Sequence, residues 1–323
     1  MPGGPELLAR IGKAYDFSRF EAGTQTKDSI LLVQYVKKMA QQMGKKDAVL
    51  RASTDRIRTA CKLGRSIDGV IDQHDNDPMI VACGKLAIAH FICQAEAKSM
   101  LNTEPRNPGE LPLQGEDTWL FQLGQLVTSG VLRSQVERCL DNLSIICFNY
   151  DRAIEHFLPH AMVMAFGMEL KEAQQIIAAK LNIIHPFGTV GRLPWQSGSE
   201  TEVEWGTDQP WNILNLAQQI RTTSEQLRDQ QMTMAIRTAT AGSERLVFLG
   251  FGYHPQNIGI LFDYSLSHEP EVIASAFGLG PGNLALVSKV LKNKVGIEND
   301  EFLMIKNTKC ADIMREYSLL LET

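Results

Sequence analysis

Beyond Asn142 the chain alternates short apolar, β-branched runs with helical patterns, and this alternation restricts its fold more than any other feature. The runs lie at residues 143–148, 181–187 and 245–251, with helical segments such as Leu170–Lys180 and 210–228 between them. Strands joined through helices pair in parallel, because the crossover carries the chain back to the edge where the previous strand began. The expectation is an α/β fold: a Rossmann-like, mostly parallel sheet with helices on both faces. Residues 271–279 are a further candidate strand. Residues 310–321 read as an amphipathic helix through Ile313, Met314, Tyr317 and Leu320.

Residues 6–142 are mostly helical in pattern. In 28–43 the apolar side chains Leu32, Tyr35, Val36, Met39 and Met43 share a face, with Asp28 placed to cap the start and Gly44 to stop the end. Residues 85–97 are apolar nearly all round, which predicts a buried helix. Residues 101–115 hold too many prolines and glycines for a helix and read as a crossing loop, and helical spacing resumes over 119–127. Residues 196–209, rich in Ser, Glu and Thr, read as a mobile surface loop. The chain opens on a Pro2-Gly3-Gly4-Pro5 turn, which ordinarily joins two elements, so an element upstream of Met1 is expected.

With 323 residues, 44% of them hydrophobic, the chain can bury a full core. Its net charge of −5 and pI near 5.9 exclude a general nucleic-acid surface, which needs a basic stripe. No unbroken run of about 18 apolar residues is present, so no membrane span is expected. The six cysteines contain no C-x-x-C pair, which excludes a zinc ribbon and suits free thiols in a reducing cytoplasm. The start carries neither the basic nor the apolar region of a signal peptide. Asp72, His74, Asp75 and Asp77 read as a solvated acidic loop. His156 and His160 are four apart, but Pro159 between them argues against one continuous helical face. His90, on an apolar helix, reads as a core histidine.

The three strand-like runs end in chemistry. The first ends in Phe148-Asn149-Tyr150-Asp151, the second in His185-Pro186-Phe187-Gly188, and the third in Gly250-Phe251-Gly252 followed by Tyr253-His254-Pro255-Gln256-Asn257. Ligands of open α/β sheets bind at the carboxyl edge, where these segments would place an amide, an imidazole and bare backbone. Glycines there let a nucleotide or sugar approach the main chain. Gly250-Phe251-Gly252 is not a dinucleotide fingerprint, since Pro255 holds the third glycine's place.

On these segments the chain resembles the sirtuin-like family of NAD domains, in its bacterial branch without zinc. The Asn149-Tyr150-Asp151 strand end is the most specific match. The His185–Gly188 stretch, the Gly250–Asn257 stretch, Ser66-Ile67-Asp68 and residues 84–89 are also similar to that branch. The resemblance implies a single domain, with a mostly helical subdomain over roughly 20–140 inserted into a strand-helix core over roughly 141–323. It implies hydrolysis of the nicotinamide–ribose bond of NAD as substrate, without zinc, in antiphage-type defence. Asn149 and His185 would then be the catalytic residues, with Asp151, Gly188, Gly250, Gly252 and Asn257 lining the NAD site. The implied partner is NAD itself, with a homo-oligomer or a defence-system protein as further partners and no nucleic acid or membrane. Two departures stand out. The family's strand and Gly-Ala-Gly loop that cradle the phosphates have no counterpart here, and Phe187 stands where many relatives carry the catalytic histidine. Alternation along a strand would put His185 on the same face as Phe187 and let it substitute. The alternative implied by these departures is an inactive nucleotide-sensing or scaffold module. Protein deacylation is the poorest fit, because the zinc module that frames an acyl-lysine groove is missing.

Overall fold

A computed structural model describes residues 2–16, 26–102, 118–264 and 266–322. The chain divides into two compact units, each assembled from discontinuous segments. The fold is mixed α/β, with short parallel sheets and helices around them.

The first unit comprises Met1–Pro112, Cys147–His156 and His185–Arg228. Five helices open it: α1 (Gly4–Ala14), α2 (Lys27–Gln42), α3 (Asp47–Ala60), α4 (Ile67–Asp72) and α5 (Pro78–Ala97). Asp77 starts α5 by accepting the N–H groups of Met79 and Ile80 at 2.9 and 3.1 Å, with Pro78 at the first helical position. The helix has no polar face for most of its length: Cys83, Leu86, Ala87, Ile88 and Ala89 are fully shielded from solvent. It is therefore the axis on which α1, α2, α3, α4 and the later helix α9 (Ile213–Gln219) pack. Burying side chains such as Leu86 and Ile88 contributes about 1.5–3 kcal/mol each. Its length and composition would also let it cross a membrane, but 72% of its apolar window is buried inside the protein. Lys85, His90, Gln94 and Glu96 interrupt it, so it is not an unbroken apolar run of the kind the sequence was found to lack.

The second unit comprises Leu113–Ile146, Phe157–Ile184 and Asp229–Thr323. Here β1 (Ser144–Ile146) pairs in parallel with β2 (Asn182–Ile184), Ser144 facing Asn182 and Ile146 facing Ile184. A separate parallel sheet has the order β3-β4-β5, built from β3 (Arg245–Phe248), β4 (Glu271–Ser275) and β5 (Leu303–Lys306). The central strand is the most apolar, with Val272, Ile273 and Ala274 fully buried, as a strand flanked on both edges and covered by helices must be. The helices of this unit include α6 (Trp119–Thr128), α8 (Leu170–Lys180), α11 (Gln230–Ala241), α12 (Pro255–Leu261), α13 (Pro281–Leu291), α14 (Cys310–Glu316) and α15 (Ser318–Leu321). Helix α7 (Ala153–Phe166) links the units in sequence, and α10 (Thr223–Gln226) closes the last segment of the first.

Several expectations change. The Pro2–Pro5 turn is the start of α1, with Gly3 as its extended N-cap and Pro5 in its first turn. Thr26, not Asp28, caps α2: its hydroxyl accepts from Ser29 N at 3.2 Å, leaving the Asp28 carboxylate to accept from Gln94 Nε2 at 2.6 Å. Helix α7 runs through Pro159, which costs a helix about 3 kcal/mol. Burial of Phe157, Leu158, Ala161 and Met162 around the proline outweighs that loss. The helix expected over 210–228 breaks at Ile220, where the backbone is extended, and restarts in a capping box between Thr222 and Glu225. Residues 310–321 form two short helices rather than one. Strand β5 was not expected, because its four residues are all half-buried and carry no clear alternation. Residues 196–209 are not simply a surface loop: Val203 is buried, and the chain pairs back on itself at Arg192 and Glu202. Beyond Asn102, most of the loop expected over 101–115 lies outside the described residues.

Candidate functional site

The chain leaves β1 at Ile146, and the next six residues reach the start of α7, so the Asn-Tyr-Asp segment is a strand-to-helix turn. Each residue after Asn149 is fixed by a different partner. The Tyr150 hydroxyl donates to the Asp68 carboxylate; the tyrosine is buried and the aspartate half-buried. Burial, opposed by the tyrosine hydrogen bond, raises the Asp68 pKa, and burial together with the Asp68 charge raises that of Tyr150 well above its ordinary value. The Asp151 carboxylate accepts from Ala153 N at 3.1 Å and so caps α7. Arg152, 1% exposed, donates from its backbone N, Nε and Nη2 to the equally buried Glu96 at 3.0, 3.2 and 2.5 Å. Its Nη1 donates to the carbonyls of Val203 and Arg192 at 2.6 and 3.3 Å. This arginine therefore ties α5 and the 192–203 segment to the turn. Asn149 is the exception: it is exposed, and its side-chain amide has no protein partner among the described residues.

His185 follows β2, which ends at Ile184, so strand alternation no longer governs it. Residues 185–188 form a turn closed by Gly188 N donating to the His185 carbonyl at 3.0 Å. The imidazole and Phe187 accordingly separate, contrary to the expectation of a shared face. Phe187 is buried, its ring 5.7 Å from that of Phe148 in an edge-to-face contact. The His185 ring instead meets the Asn149 carbonyl through Nδ1 at 3.1 Å and Glu155 Oε1 through Nε2 at 3.0 Å. Burial alone would lower its pKa, but Glu155 and the nearby Cys147 thiol outweigh it, leaving the imidazole well above its ordinary value. With an acceptor at each nitrogen the ring is held as imidazolium. A ring in that state orients or donates; it cannot accept a proton as a general base. The second oxygen of Glu155 is buried and has no hydrogen-bond partner among the described residues.

Gly188 takes φ +73°, and a Cβ there would overlap the carbonyl oxygen of Gln219. Its close approach is therefore to the chain's own backbone. The break between α9 and α10 makes this packing possible, and Arg221 N donates to the Phe187 carbonyl at 2.8 Å beside it. Val190 N donates to the Tyr150 carbonyl at 3.1 Å, joining the two turns directly. Asn149, Asp151, His185 and Gly188 thus come together within the first unit.

Gly250, Gly252 and Asn257 belong to the second unit. Gly250, at φ +61°, follows β3 and donates its N–H to Ser275 Oγ at 3.0 Å. Tyr253, itself at φ +51°, donates its hydroxyl to the Ser275 carbonyl at 2.8 Å. The carboxyl ends of β3 and β4 are thereby stitched into one ledge. Gly252 is exposed on it, and Asn257 lies half-buried in the first turn of α12.

Of the remaining candidates, His90 is a core histidine as expected, 1% exposed and beside Asp28 and Gln94. His156 stacks on Trp205 at 4.3 Å and bonds the Leu101 carbonyl at 2.8 Å. Asp72 accepts from Ser224, and Asp77 caps α5. Among the described residues no group of three or more His, Cys, Asp or Glu side chains could hold a metal ion. Sequence reasoning missed Glu155 and Glu96, and it gave Cys147 and Asp68 no role of their own. Only proximity in the fold reveals them, since Glu155 is 30 residues from His185 and Glu96 is 56 from Arg152. Comparison of the chain with protein-family models, curated proteins and solved structures finds no match.

Proposed function

We propose that the turn around Asn149 is the reaction centre of an NAD glycohydrolase, an enzyme that releases nicotinamide and leaves ADP-ribose. One observation carries this reading: among the described residues the Asn149 amide is unengaged, while Tyr150, Asp151 and Arg152 beside it are each locked by a hydrogen-bond partner. An amide held ready in this way suits a reaction in which the protein mainly orients a sugar and a water. The nicotinamide–ribose bond breaks through an oxocarbenium-like state, as in other glycosidic cleavages. Asn149 would hydrogen-bond the ribose or the attacking water. His185, as imidazolium, would donate to a ribose hydroxyl, and the unpaired Glu155 oxygen would oppose the positive charge developing on the sugar. Within the second unit, Gly250, Gly252 and Asn257 would offer bare backbone and an amide to a nucleotide, and the protein would act in antiphage-type defence in the cytoplasm.

The buried Phe187 favours a second reading, a module that binds the nucleotide without turning it over. Nothing at that position can move a proton, and the imidazole two residues earlier is already charged. A calorimetric titration of the protein with NAD and with ADP-ribose, followed by chromatography of the NAD mixture, separates the two. Heat with nicotinamide release supports hydrolysis, and heat with intact NAD supports the sensing module. No binding of either nucleotide rejects both.

A further inference from the structure

A cavity of about 220 Å³ opens among the first helices of the first unit, and none of the preceding chemistry uses it. Among the described residues its wall carries three cations, Arg10 and Lys13 of α1 and Lys98 at the end of α5, against one carboxylate, Asp28 of α2. In a chain of net charge −5 this excess is local. Arg10 holds an exposed pair with Glu6 at 2.6 Å, but neither Lys13 nor Lys98 has an ion pair among the described residues. A lysine at a helix C-terminus is ordinary, because it complements the helix dipole, and both lysines stand at such ends. The dipole does not account for the carboxylate between them. Asp28 leaves the capping of α2 to Thr26, and its Oδ1 accepts from Gln94 Nε2 at 2.6 Å. Gln94 is 4% exposed, and its amide lies 3.2 Å from the ring of His90, which is 1% exposed. Buried groups of α5 therefore fix one oxygen of Asp28, while the other has no hydrogen-bond partner among the described residues. A carboxylate held in this way accepts a hydrogen bond from a hydroxyl of whatever the cations bind.

Size narrows the ligand. The cavity has room for about seven waters at roughly 30 Å³ each. It is smaller than the roughly 300–1,000 Å³ of pockets that enclose drug-sized ligands, so a whole dinucleotide does not fit. We propose that this cavity is a second binding site, one that takes a small phosphate monoester of a polyol. Arg10, Lys13 and Lys98 hold the phosphate, and Asp28 accepts from a hydroxyl. Three cations facing one carboxylate leave an excess of two charges, which a phosphate dianion matches and a carboxylate does not. The site does not depend on NAD, so it stands or falls separately from the hydrolase reading.

The test is calorimetric titration of the intact protein at neutral pH with glycerol 3-phosphate, glycerate and inorganic phosphate. Glycerol 3-phosphate should bind about ten-fold tighter than either of the others, each of which lacks one half of the recognition. Lys13→Gln and Lys98→Gln should each weaken it by about ten-fold. Both lysines are exposed, so these variants keep the fold. Asp28→Asn should remove the advantage over inorganic phosphate, and Asn149→Ala should not alter the affinity. No heat with glycerol 3-phosphate, equal affinity for it and inorganic phosphate in the native protein, or unchanged affinity in both lysine variants would overturn the proposal. Tighter binding of glycerate would reject the phosphate, and binding lost in Asn149→Ala but kept in the lysine variants would put the ligand at the turn instead.

Discussion

Arg152→Met tests whether the turn carrying Asn149 is held from inside the protein. The substitution keeps most of the side-chain length and removes the guanidinium. It takes away the Nε and Nη2 bonds to Glu96, at 3.2 and 2.5 Å, and the Nη1 bonds to Val203 and Arg192, at 2.6 and 3.3 Å. What remains is a carboxylate at 1% exposure that keeps only the bond from the backbone N of residue 152. Removing one partner of a buried pair costs about 3–5 kcal/mol, because the charge left behind has lost both water and partner. At a urea slope of about 2 kcal/mol per molar, a 4 kcal/mol loss lowers the unfolding midpoint by about 2 M. Far-UV circular dichroism in a urea series reads that midpoint. The double substitution Glu96→Leu/Arg152→Met removes the stranded charge and should recover more than half of the loss. A cost below about 1 kcal/mol for Arg152→Met would refute the reasoning, since it would put the pair in the range of exposed ion pairs.

Three further outcomes follow from the same geometry. Gly188→Ala should destabilise by about 1–3 kcal/mol in thermal melts, because the φ of +73° and the Gln219 carbonyl both oppose a Cβ; an unchanged melting temperature would contradict this packing. Tyr150→Phe removes the hydroxyl that partners the half-buried Asp68 and should cost about 1–3 kcal/mol, measurable by the same urea series. The His185 pKa is raised on folding, so its contribution is complete below the unfolded value of about 6.5 and is lost as pH rises through the folded value. The melting-temperature advantage of the native protein over Glu155→Gln should therefore be largest near pH 6.5 and shrink on the alkaline side; an advantage that grows with pH would reverse the assigned sign.

The strands and helices were legible where periodicity was strong. The parallel β1–β2 and β3–β4 pairs follow from apolar runs separated by helical segments, and α8 begins and ends as its pattern predicts. The break between α9 and α10 was not legible, because it serves a contact with Gly188 some 30 residues earlier in the chain. Asp28 has the right chemistry for a helix cap but is drawn to Gln94, a competition that a linear pattern does not show. Asn149 and His185 were both recognisable at strand ends. What the imidazole does there was not, since its charge is set by Glu155 and Cys147. The alternation argument failed at His185 for a local reason: the strand stops one residue before it.

The most direct test is nicotinamide release from NAD by the native protein and by Asn149→Ala, followed by chromatography. The Asn149 side chain is exposed and has no partner among the described residues, so the substitution should change stability by no more than about 0.5 kcal/mol. Release by the native protein, lost in an equally stable Asn149→Ala, is the predicted result. Release at the same rate from both proteins would contradict the placing of the reaction centre at Asn149, and none from the native protein would contradict the hydrolase itself.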